Sequence, residues 1–180
     1  MELLNVRLLT KDDIPFIVEY WNTRTDENLL LMGVQPEIAR SIDFGKLISE
    51  QFELPNHEKK VFFVIWEVNG KPIGHSNASH IEFGSNCHMH LHIWQPDTRQ
   101  RGMGTELVKR SLPIYFKELQ LERIFCTPHA INPAPNKTLR RVGFDLIQEN
   151  HVCVPGFLNF EQPVNRYEMT LEKFAQLSSK

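Results

Sequence analysis

A chain of 180 residues, 41% hydrophobic and 23% charged, is long enough to bury one sizeable core and short for two, so a single domain over residues 1–180 is expected. Its formal net charge of −2 and isoelectric point near 6.4 give no bulk electrostatic reason to expect a nucleic-acid partner. No basic stretch leads into a long apolar one at the start, and the longest aliphatic-aromatic run is Val61 to Trp66, so neither a leader nor a membrane span is expected.

Residues 5–9 read as a first strand. Thr10 to Asp13 then resembles a capping box that opens a helix through Ile14, Ile17, Val18 and Trp21. The pattern blurs from Asn22 to Gln35. Pro36 restarts helical spacing through Ile38, Ile42, Leu47 and Ile48, with Gly45 as an interruption, which predicts short helices joined by a loop. Val61 to Val68 is β-branched and aromatic and runs into Asn69-Gly70, a strong hairpin signal. The return strand extends from Lys71 to about Phe83. After a turn at Gly84-Ser85-Asn86, Cys87 to Trp94 alternates histidine or tryptophan with other residues.

A helix carrying Leu107, Val108, Leu112 and Phe116 follows, with Pro113 as a kink, and Arg123 to Thr127 is a strand. Asn132-Pro133 reads as the N-cap and first turn of another helix, which Gly143 stops. Phe144 to Gln148 and Tyr167 to Leu171 supply the last strands. The three cysteines, Cys87, Cys126 and Cys153, are widely spaced without a CxxC pair, which fits a reducing cytoplasm better than a disulfide framework or a zinc knuckle.

The segment Arg99-Gln100-Arg101-Gly102-Met103-Gly104 lies between a strand end and a helix start. Glycines there let successive backbone N–H groups turn toward one point, and the helix dipole adds partial positive charge. Arg99 and Arg101 can add charge-assisted contacts to the same phosphate or pyrophosphate. This run resembles the Q/R-x-x-G-x-G/A signature of the GNAT superfamily of N-acetyltransferases, with Arg99, Gly102 and Gly104 at its defining positions. A second signature of that family, an Asn followed eleven and twelve residues later by Gly-Phe, is matched by Asn132 and Gly143-Phe144. The order of elements is also similar to that family's, and the branch acting on protein N-terminal amines and ribosomal proteins is similar in layout.

The resemblance implies an α/β acyl-CoA N-acyltransferase fold, with a mixed, mostly antiparallel sheet flanked by helices. It also implies acetyl-CoA held between two strands that splay apart, the ends of 87–95 and 123–127. The pyrophosphate would lie on the amides from Arg101 through Gly102, Met103 and Gly104 to Thr105, with Asn132 as a further binding residue. The thioester would lie beside Ile93 and Trp94, where a backbone N–H stabilises the oxyanion. The acceptor implied is a primary amine on a small molecule or a protein N-terminus, acetylated by direct transfer in a ternary complex.

The amine must be neutral to attack, which at pH 7 costs about 1 kcal/mol for an α-amine and about 4 to 5 kcal/mol for a lysine. His88, His90 and His92 alternate along one strand and should share a face, and imidazole is a suitable base, so His88 and His90 are the candidate catalytic residues. His88 sits where some family members carry a glutamate base. With either as base, the rate should rise through a pKa near 6 to 7. The family's tyrosine acid is replaced by Leu139, with Cys126, His129 and Tyr115 as possible substitutes. The three histidines could instead bind a metal, and Leu139 also leaves room for a non-catalytic acyl-CoA sensor. The stretches 21–32 and 150–165 could line the acceptor cleft, or the latter could form a homodimer contact.

Overall fold

The computed structural model describes residues 2–94 and 102–179. Seven strands form one sheet: β1 Leu4–Leu8, β2 Phe62–Val68, β3 Lys71–Glu82, β4 Asn86–Ile93, β5 Arg123–Cys126, β6 Asp145–Cys153 and β7 Gln162–Thr170. Their order across the sheet is β1-β2-β3-β4-β5-β7-β6, and every neighbouring pair is antiparallel except β4 and β5. The mixed, mostly antiparallel sheet expected from the sequence is therefore present.

Helices cover both faces. On one lie α1 Ile14–Thr23, α2 Asp26–Leu31, α3 Pro36–Ser41 and α4 Phe44–Phe52; on the other lie α5 Met103–Glu118, α6 Pro133–Val142 and α7 Leu171–Ser178. β2 is apolar at nearly every position because it feeds two cores. Phe62, Val64 and Trp66 pack with α5 and α6, while Phe63 and Ile65 pack with Ile17, Leu29 and Ile48. At the hairpin, Asn69 and Gly70 take φ of 52° and 74°, the left-handed pair that a tight two-residue turn requires.

Helix boundaries follow local chemistry. The Asp13 carboxylate accepts from the Thr10 amide at 2.8 Å and hydroxyl at 2.7 Å, and a short 3-10 turn leads into α1. The break between α3 and α4 falls at Ile42-Asp43, where Asp43 caps the Lys46 amide; Gly45 lies inside α4 rather than interrupting it. Two helices went unforeseen. The apolar residues of α2 form one run, Leu29-Leu30-Leu31, with no 3.6 period to read, and Thr25 caps the helix; α7 is capped by Thr170 and starts at Leu171, inside the expected strand end. β6 and β7 also run further toward each other than expected. β6 is exposed at eight of its nine positions and irregular in register, with Asn150 at φ 50°, so no alternation marks it.

Candidate functional site

β4 and β5 pair only over Asn86–His88 and Arg123–Phe125. Beyond that point β4 runs on to Ile93 while β5 ends at Cys126, and the sheet opens. The direction of the β4 amides follows from two contacts. The Trp94 amide donates to the Ile73 carbonyl at 2.9 Å, and the Met89 amide meets the Cys126 sulfur. Antiparallel ladders alternate, so His90, His92 and Trp94 face β3, whereas Met89, Leu91 and Ile93 turn their amides to the gap. Of the two residues expected beside the thioester, Trp94 has thus spent its amide on β3.

Two residues hold this end of β4 in place. A Cβ on Gly74 would sit 2.4 Å from the His92 carbonyl oxygen, so only glycine allows β3 to approach β4 this closely. Arg24 lies 4.2 Å from the Tyr20 ring and donates through one nitrogen to the carbonyls of Ile93, at 3.1 Å, and Trp94, at 2.6 Å. It fixes the chain at the end of β4. Sequence reasoning missed this role because Arg24 falls in a stretch without periodicity.

Arg99 and Arg101 lie outside the described residues. Gly102 is the N-cap of α5 at φ +75°, and Met103 and Gly104 occupy the first two helical positions, where an amide has no helical carbonyl behind it. Thr105 corrects the expectation. Its amide closes the first turn on the Gly102 carbonyl at 3.1 Å, which removes it from the set of converging donors. Gly104 lies against the gap, where a Cβ would come 3.8 Å from Ile93 Cδ1 and 3.9 Å from Thr138 Oγ1. Asn132 precedes α6 but makes no side-chain capping bond, since Pro133 follows it and Asn136 bonds the carbonyls of His129 and Asn132 instead. The Asn132 side chain lines the cavity.

That cavity encloses about 190 Å³, from Cys126 and Leu139 in the gap, past His90, to a wall of Trp21, Phe44 and Phe63. Met32, from the stretch 21–32, and Phe157, from the stretch 150–165, also line it. The β6–β7 connection is clamped over the cavity: Gln162 Nε2 and Asn159 Nδ2 each donate to the Gly33 carbonyl at 2.7 Å, and the Gln35 amide donates to Leu158 at 2.7 Å.

The three alternating histidines share a face, opposite Cys87 and Met89. His90 lines the cavity and its Nε2 is 2.8 Å from Ser79 Oγ, which is 3.0 Å from Nδ1 of His80. His80 is exposed and held at φ 48° where β3 bulges. His88 does not line the cavity. Its ring sits between those of His80 and Phe125, at 5.3 and 5.7 Å. His92 meets the Tyr20 hydroxyl at 3.1 Å and stacks on His75, whose Nδ1 accepts from Trp94 Nε1 at 2.8 Å.

Burial pushes His90 and His88 down to about 4 and His75 to about 3, with competition from neighbouring imidazoles, and Arg166 beside His88, adding to the fall. These rings are neutral at pH 7. The expected titration near 6 to 7 is therefore corrected downward, because the strand face is covered by α1 and the clamp rather than open to water. Among the described residues no three His, Cys, Asp or Glu side chains gather as a metal site.

Leu139 is buried in the gap wall, so no phenol stands there. Tyr115 is sealed in the core with its hydroxyl donated to Ser76, away from the cavity. Burial holds the Cys126 thiol well above its usual range, while His129 lines the cavity.

A gap between parallel strands, ending at a glycine-led helix N-terminus, is the arrangement anticipated from the two sequence signatures. A family model described as an acetyltransferase (GNAT) domain matches residues 4–145. The chain belongs to the GNAT acetyltransferases. Its fold is shared with spermidine N-acetyltransferase from Vibrio cholerae bound to coenzyme A and spermine, at 21% identity and TM-score 0.72 over 96% of this chain and 98% of that one. An aminoglycoside acetyltransferase bound to coenzyme A and kanamycin is similar at 17% identity and TM-score 0.70, over 98% and 99%. As a GNAT acetyltransferase the protein is an N-acetyltransferase that takes acetyl-CoA as its acyl donor. No described helix is long and apolar enough to cross a membrane.

Proposed function

We propose that a domain spanning residues 1–180 acetylates a primary amine, on a small molecule or a protein N-terminus, by direct attack on acetyl-CoA in a ternary complex. The diphosphate rests on the amides of Met103 and Gly104, with Gly102 turning the chain and Arg99 and Arg101 supplying positive charge. Pantetheine follows the gap past Ile93 and Asn132. The Leu91 amide faces the thioester carbonyl and stabilises the oxyanion formed when the amine nitrogen bonds the carbonyl carbon. The thioester thus lies beside Leu91, one ladder repeat before Ile93 and three residues before Trp94.

Once bonded to carbon, the nitrogen becomes strongly acidic and loses its proton to His90, which is neutral in the working range. With the Ser79 hydroxyl turned toward His80 Nδ1, it accepts from His90 Nε2–H, and the proton leaves through Ser79 and the exposed His80. His88, the other candidate base, stands behind this chain and shapes its field. Collapse of the intermediate reforms the carbonyl, breaks the C–S bond and releases coenzyme A as thiolate. The cysteines remain unacylated.

The observation that carries this reading is the His90–Ser79–His80 chain opening into the cavity beside the stretch of β4 that runs on past β5. The test measures thiol release from acetyl-CoA for His90→Gln and Ser79→Ala. His90→Gln should lower kcat by about a hundredfold, as loss of a general base does, with acetyl-CoA affinity unchanged. Ser79→Ala should fall by less. In the wild type, kcat/KM should climb with the acceptor's own deprotonation and show no step near pH 6 to 7. A full-rate His90→Gln enzyme would remove the base; absence of thiol release with every amine would favour the acyl-CoA sensor.

A further inference from the structure

The cavity wall is chemically one-sided in a way that bears on which amine it accepts. Among the described residues that line it there is no Asp, Glu, Lys or Arg. Its far end is Trp21 stacked on Phe44 at 4.8 Å, with Phe63, Met32 and Leu47 around them. The polar groups present are neutral amides and hydroxyls, such as Asn77 and Ser79, and imidazoles; of these, His90 is pushed down to about 4 and His92 well below its usual value by burial. Nothing described there can balance a second positive charge. By sequence, the stretch 95–101 holds a single acid, Asp97, against two arginines.

Spermine and kanamycin, the ligands held by the two similar structures, each carry several ammonium groups at neutral pH. Placing such a molecule with one amine at the thioester, its body along this wall, would leave at least one other ammonium against aromatic and aliphatic side chains without a carboxylate among the described lining residues. A buried, unpaired charge is among the most unfavourable arrangements in protein chemistry. The amine that reacts escapes this penalty, because it must shed its proton anyway. An aromatic or branched aliphatic body gains from the same wall.

We infer that the acceptor is a primary amine on an uncharged, hydrophobic body, its amine being the only cationic group, and that polyamines and aminoglycosides are poor substrates. This rests on the amine-acetylation reading above and narrows it. A body lying against the Trp21–Phe44 wall extends past His90, which places Asn77, the cross-strand partner of His90 on β3 and itself a lining residue, beside the acceptor.

The experiment compares kcat/KM for 2-phenylethylamine, isoamylamine, spermidine and kanamycin with the whole chain, followed by free thiol release. Either monoamine should exceed both polycations by about a hundredfold, a ratio in keeping with one uncompensated buried charge. The second arm is Asn77→Asp, which adds a carboxylate at nearly constant volume. It should lower the rate with 2-phenylethylamine and raise the spermidine to 2-phenylethylamine ratio by about tenfold, as a new counter-charge would. Spermidine or kanamycin equal to the monoamines in the wild type overturns the inference while leaving amine acetylation intact. An unaltered ratio in Asn77→Asp overturns the placement of the acceptor. Thiol release with none of the four, alongside intact acetyl-CoA binding, overturns this inference; the reading beneath it falls only if peptides with free N-termini also give none.

Discussion

Gly104 and the buried histidines are the residues whose chemistry can be isolated most cleanly. Space exists around a Cβ at Gly104, with its nearest neighbours at ordinary van der Waals distance. Gly104→Val should therefore fold normally while its methyls fill the path beside Ile93. Circular dichroism should be unchanged and calorimetric binding of acetyl-CoA lost; retained affinity would mean the cofactor runs elsewhere. For the histidines the sign follows from their depressed values. His75 and His90 titrate near 3 and 4 in the fold and near 6.5 when unfolded, so their contribution is whole above pH 6.5 and lost as pH falls toward 4. Each contributes a slope of about 1.4 kcal/mol per pH unit in that window. Urea midpoints should drop steeply between pH 6.5 and 4.5 in the wild type, and less steeply in His90→Gln. A flat wild-type curve would show these rings to be accessible to protons.

At the level of elements, the clamp between the β6–β7 connection and the α2–α3 turn shapes the acceptor side. Gly33 is at φ +76°, and its missing Cβ leaves the space that Gln162 Oε1 occupies. Gln162→Ala takes the Phe160 carbonyl's side-chain donor and one of the two donors on the Gly33 carbonyl, leaving Asn159 there, a change worth about 1–3 kcal/mol of stability. The amine KM should rise with acetyl-CoA affinity preserved; a stability loss without any KM change would make the clamp purely structural. None of this was visible in the sequence, because Gly33 and Gln162 are 129 positions apart and pair through tertiary contact alone. What was legible had a local cause: the Asn69-Gly70 hairpin, the β4 alternation, and the glycine start and stop of α5 and α6. The histidine face was legible from spacing too, but its titration was not, since burial by α1 leaves no trace in strand period.

Across the whole molecule, one sheet serves two cores, and the site lies where the sheet fails to close. On one side β2 and β3 tie both cores together; on the other β5, β7 and β6 form a second block joined to β4 by three residue pairs. The signatures located this junction because both flank it, one at α5 and one at α6. They could not reveal Gly74 and Arg24, which set the angle at which β4 leaves its neighbour. Past its last pair with β5 the strand β4 runs beside a wedge rather than a neighbour, and the acyl donor, on the reading proposed above, would lie along that stretch of open ladder. The donor is then a structural component as much as a reactant. On that reading, departure of coenzyme A loosens only the open part of the seam, while the shared core and the three β4–β5 pairs still hold the blocks together, so tight hold on the spent carrier and rapid cycling pull the same seam in opposite directions.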